Sequence, residues 1–113
     1  MPANAQVNIL DIESALKRVG GNRKLLDNLL KKFTNEPFLD HLKNEIAVKD
    51  YAAAAKTAHS IKGVAANLSL TGLHSIIVVL EQQLKNGSCE DVTFADTEES
   101  YTATVSAINE ALS

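Results

Sequence analysis

The clearest hydrophobic pattern in the chain runs from Ala52 to Leu68, AAAAKTAHSIKGVAANL. At about 100° per residue with Ile61 at the origin, Ala54, Thr57, Ala58, Val64, Ala65 and Leu68 fall within about 60° of it. The spacing predicts an amphipathic helix with this stripe buried and Asp50 as its N-cap. His59 falls about 160° away, near the centre of the solvent face. Around it stand Ala52, Ala55, Gly63 and Ala66, with Lys56 and Lys62 beside them. A solvent face ordinarily carries long polar side chains. This one is trimmed to methyls and a hydrogen around one imidazole. Gly63 sharpens the anomaly, because glycine inside a helix costs about 0.5–1 kcal/mol relative to alanine.

The same period continues along the rest of the chain. Residues 1–8 are polar and expected to be flexible. A short first helix should start at Asp11, bury Ile12, Ala15, Leu16 and Val19, and stop at Gly20-Gly21. Asn22 is placed to cap a second helix that buries Leu25, Leu26, Leu29, Leu30 and Phe33. Pro37 has no amide proton to give to the carbonyl of Phe33, so a break or kink is expected there. Thr34 or Asn35 would cap the renewed helix, with Pro37 in its first turn and Phe38, Leu39, Leu42 and Ile46 facing inward. After the histidine helix, another starts at Ser69 or Thr71. It carries Leu70, Leu73, Ile77, Leu80 and Leu84 and ends at Asn86-Gly87. The last runs from about Glu90 to the C-terminus through Phe94, Tyr101, Val105, Ile108 and Leu112. IIVVL has strand propensity but sits inside a longer helical stripe without turn signals. The expected fold is all-α: an antiparallel four-helix bundle with a short N-terminal lead-in helix, forming one domain over residues 9–113.

Composition narrows the function. With 113 residues the chain is long enough for one core. A net charge of −3 argues against nucleic acid, whose phosphates call for a basic patch. No apolar run approaches the roughly 20 residues of a membrane span. MPANAQVN lacks the regions of a signal peptide, so a cytoplasmic location is expected. The single cysteine, Cys89, has no CxxC partner and reads as a bystander thiol. There is neither a GxxxxGK[ST] loop nor a GxGxxG motif to cradle a nucleotide. Ser60 is adjacent to His59 but points about 100° away, so the two cannot act as nucleophile and base. Asp40/Glu45, Glu98/Glu99 and Lys31-Lys32 read as solvated faces, and His41 and His74 as flank residues.

Three readings of His59 then compete. It is a plain surface histidine, which leaves the trimmed face unexplained. It is a metal ligand, although no His, Asp, Glu or Cys lies three or four residues away on its helix. Or it is an exposed nucleophile or phosphate carrier that meets a partner protein face to face.

AHSIKGVAANL resembles the signature of histidine-containing phosphotransfer (HPt) domains, in which a histidine is followed by two residues and then Lys-Gly. His59, Lys62 and Gly63 match it residue by residue. LDIESALKRVGGNRKLLDNLLKKF looks like the usual opening of these domains, and LEQQLK like their next helix, so the resemblance covers nearly the whole chain. Ser69 stands where many members carry glycine. The resemblance implies a four-helix bundle and a bacterial-type phosphorelay, often downstream of a hybrid sensor histidine kinase. A neutral imidazole nitrogen of His59 would take a phosphoryl group from the aspartate of a response-regulator receiver domain and hand it on. Lys62, three residues along, is placed to support the phosphate, and Lys56, three residues before, is a weaker candidate. Ala55, Lys56, Gly63 and Ala66 would form the docking surface. The chain would need no cofactor of its own, since Mg²⁺ and the acceptor aspartate come from the receiver. It would be a monomeric carrier rather than a turnover enzyme. The alternative from another class is a helical adaptor that binds a receiver or kinase without carrying phosphate. A metal-binding bundle is more distant.

Overall fold

A computed structural model of the chain describes residues 9–113. The expectation for residues 1–8 lies outside the described residues. Helices α1 (Ile12–Arg18), α2 (Arg23–Asn35), α3 (Phe38–Ala47), α4 (Tyr51–Asn67), α5 (Thr71–Lys85) and α6 (Asp91–Leu112) follow one another, and no strand occurs among the described residues. The fold is an all-α bundle, in which α4 packs most extensively on α5, α5 on α6, α3 on α4 and α2 on α6.

Three predicted caps set three of the helix starts. Asp11 accepts from the amide of Ser14, Asn22 from that of Leu25 and Asp50 from that of Ala53, at 3.0–3.1 Å. Each satisfies an amide that the first turn leaves without an intrahelical partner. Gly20 ends α1 at φ 66°, and Gly21 donates back to the carbonyl of Leu16 at 2.8 Å, closing the turn. At Pro37 the outcome differs from expectation. Neither Thr34 nor Asn35 caps the next helix; Pro37 itself is the N-cap of α3, without a side-chain bond. The chain breaks there because α2 runs on through Asn35, so both candidates are still inside it.

The end of α4 uses the same closure without glycine. Ser69 has φ 54°, and the amide of Leu70 donates to Ala65 at 2.8 Å. A residue with a Cβ pays about 1 kcal/mol in this conformation. The serine has compensating work: its hydroxyl bonds that of Ser14 at 3.0 Å, and its carbonyl accepts from the amide of Asp11 at 3.0 Å. The backbone bond to Asp11 would survive a glycine; the Ser69 hydroxyl adds a side-chain tie between α1 and the α4–α5 turn.

The core is Leu26, Leu30, Phe33, Leu42, Ile61, Leu70, Leu73, Ile77, Leu80, Leu84 and Ile108, all at most 2% exposed, with Ala54, Ala58 and Ala65 of α4. Leu25 is exposed, contrary to expectation, because it lies at the margin of a stripe centred on Leu26, Leu30 and Phe33. The α6 stripe holds at Tyr101 and Ile108, but its centre lies elsewhere than expected. Its most buried residues are Thr93, Thr97, Tyr101, Thr104 and Ile108, while Phe94, Val105 and Leu112 are half-buried. Threonine can line a core here because Thr97 and Thr104 donate to the carbonyls four residues back, at 2.8 and 2.7 Å. Tyr101 stacks against Phe33 with centroids 5.2 Å apart. Burial pushes its phenol up to about 12, with Asp40 and Glu36 adding repulsion.

Candidate functional site

The rotation of α4 decides what faces water. Ala54, Ala58, Ile61 and Ala65 are sealed at 0–1% exposure. On one flank the hydroxyl of Thr57 donates to Glu45 of α3 at 2.7 Å. His59 is thereby turned outward, and its side chain is 69% exposed. Ala52, Lys56, Gly63 and Ala66 are exposed with it, while Ala55 is half-buried. A Cβ built on Gly63 would meet nothing within 4 Å, so packing within the chain does not require glycine there.

The tight turn after α4 lays α5 antiparallel beside it, with Ala66 and His74 lining one cleft and His59 reaching Glu81 further along. Glu81 is the residue that the sequence reading missed. Its side chain is 3% exposed, yet it carries a carboxylate. His59 Nδ1 lies 3.0 Å from Oε2, Lys62 Nζ 2.7 Å from Oε1, and Lys85 Nζ 3.1 Å from Oε2. Burial alone would raise the carboxyl's pKa. The hydrogen bonds from Lys62, Lys85 and His59, with the nearby charge of Lys62, outweigh burial and hold it at about 2. A signal for this residue did exist. Ile77, Glu81 and Leu84 share one helical face, so a lone carboxylate stands on the inward stripe and calls for a partner.

An ionised carboxylate can only accept hydrogen bonds. The bond to Glu81 therefore places a proton on His59 Nδ1, and in the neutral ring the lone pair is on Nε2. That nitrogen lies across the ring from the bond, on an exposed side chain. The arrangement presents a nucleophilic nitrogen of defined tautomer, backed by an anion and flanked by Lys62. Lys56 is exposed on the same helix and makes no ion pair among the described residues, so the structure brings Lys62, not Lys56, into the cluster.

The other candidates stay apart from this chemistry. Ser60 donates to the carbonyl of Lys56 at 3.2 Å. Glu98 pairs with Lys43 across α6 and α3 at 3.4 Å. Burial, then the charge of Asp91, raises the Cys89 thiol above its ordinary value and disfavours a thiolate. Among the described residues no three His, Cys, Asp or Glu side chains gather as a metal site, and no helix is long and apolar enough to cross a membrane.

The family profile described as Hpt domain matches residues 5–112, essentially the full length. No curated protein and no solved structure matches the chain. The helical bundle and the family match agree: the chain belongs to the Hpt domain family, whose place is phosphotransfer in phosphorelays alongside receiver domains and kinases.

Proposed function

We propose that this chain is a phosphorelay intermediate that carries a phosphoryl group on His59 Nε2. The donor is an aspartyl phosphate on a receiver domain, and the acceptor is a response-regulator aspartate. The observation that carries the reading is the exposed His59 ring bonded through Nδ1 to the buried, ionised Glu81. As the Nε2 lone pair attacks phosphorus, the bond from phosphorus to the aspartyl oxygen breaks and its electrons return to the receiver's carboxylate. The ring gains positive charge while keeping its Nδ1 proton, and Glu81 faces that charge. Lys62 supplies a cation for the phosphoryl oxygens. Mg²⁺ and the acceptor aspartate belong to the receiver. The exposed Gly63 and Ala66, with Ala55 and Lys56, leave room for its active site to approach.

The test is phosphoryl transfer from a panel of phosphorylated receiver domains to this chain and to His59→Gln. The expected result is label on the wild type alone, labile in acid and stable in alkali. Absence of label on both, from receivers shown to bind, would leave an adaptor that docks without carrying phosphate.

A further inference from the structure

Glu81 holds more cations than its charge requires. His59 and Lys85 share Oε2, while Lys62 alone occupies Oε1. Lys62 can therefore leave its oxygen without disturbing the one that orients His59. It comes from the histidine's own helix, three residues on, so its ammonium stands beside the ring and within reach of a phosphoryl group there. Lys85 comes from Glu81's helix, one turn further along, with its side chain 56% exposed. If Lys62 were the only counter-ion, its move to phosphate would strip a buried carboxylate of its charge partner, which is strongly unfavourable. With Lys85 in place, the carboxylate stays paired throughout.

Building on the phosphocarrier reading, we propose that Lys85 is a positioning residue for the transfer. It is the standing counter-ion of Glu81, and it releases Lys62 to bind the phosphoryl group. Lys85 itself touches neither the phosphoryl group nor the ring. Without it, Lys62 is held on Oε1 and the transition state loses a cation. No proton or electron pair passes through Lys85.

The experiment uses single-turnover transfer from a phosphorylated receiver domain to the full chain. It compares wild type, Lys85→Gln, Lys85→Arg, Lys62→Gln and the double variant Lys62→Gln/Lys85→Gln. Lys85→Gln should lower the rate at saturating receiver about tenfold, the size of one charge-assisted contact, with half-saturation unchanged. Lys85→Arg should restore the rate. In the Lys62→Gln background the Lys85→Gln change should cost less than about twofold, because no lysine remains to be released. Three results overturn the proposal: a wild-type rate in Lys85→Gln, an effect confined to half-saturation, or equal losses with and without Lys62. A wild type that takes no phosphoryl group at His59 removes the carrier reading and this role with it. Wild-type transfer with an indifferent Lys85 removes only this role.

Discussion

Replacing Glu81 by glutamine preserves shape and removes one charge, and the consequences can be worked through atom by atom. The carboxyl titrates at about 2 instead of 4.5 in the fold. At about 1.36 kcal/mol per unit, that depression corresponds to about 3 kcal/mol favouring the ionised folded state. This contribution is complete above pH 4.5 and is lost as pH falls through about 2. The stability gap between wild type and Glu81→Gln should therefore be widest near neutrality and close towards pH 2. The amide NH₂ cannot accept from a lysine ammonium. If the carbonyl oxygen turns to Lys62, the NH₂ takes the place of Oε2 and faces His59 and Lys85. Nδ1 then becomes an acceptor, and the ring proton moves to Nε2, where the attacking lone pair had been; if the oxygen keeps the Oε2 place, Nδ1 keeps its proton and only the charge behind the ring is lost. Loss of a hydrogen bond to a charged group, about 1.5–3 kcal/mol, predicts transfer slowed by about 10- to 100-fold. Single-turnover transfer measures the rate, nitrogen–proton NMR of the imidazole reads the tautomer, and urea unfolding across the acid range reads the linkage. Wild-type rates from a ring shown to carry its proton on Nε2 would refute the tautomer argument. Parallel stability curves down to pH 2 would refute the electrostatic one.

Gly63→Arg should fold normally, since a side chain there enters open space, but should block transfer by crowding the receiver; normal transfer from the folded variant would sink the docking argument. Lys49→Gly should stabilise the protein by about 0.5–1 kcal/mol in urea unfolding, because φ 60° strains a residue with a Cβ. Ile61→Ala, at 0% exposure on the buried face of the histidine helix, should cost about 2–5 kcal/mol in the same assay. Tyr101 should ionise near pH 12 in an ultraviolet titration of the folded protein. Its folded-state value lies above the ordinary 10.0, so its contribution holds below pH 10 and fades as pH rises towards 12. A midpoint at 10 would show the phenol to be solvated.

Local rules made much of this protein legible in one dimension. Asp11, Asn22 and Asp50 cap the helices they precede because a short oxygen-bearing side chain reaches a free amide within its own turn. His59 faces water because helical period and a run of buried small residues leave it no other side. Where a rule depends on what lies across an interface, the sequence was silent or misleading. The buried threonines of α6 read as polar, although Thr93 accepts from Gln83 of α5, while Thr97 and Thr104 donate to carbonyls four residues back. Glu81 read as part of an ordinary helix, although His59 and Lys62 converge on it from α4 and Lys85 from its own helix. The sequence alone determined which histidine is presented and on what kind of face. Only the tertiary structure decided which nitrogen is free. That depends on the register of α5 against α4, closed by the buried turn of Leu68, Ser69 and Leu70, and no local pattern encodes a distance across two helices.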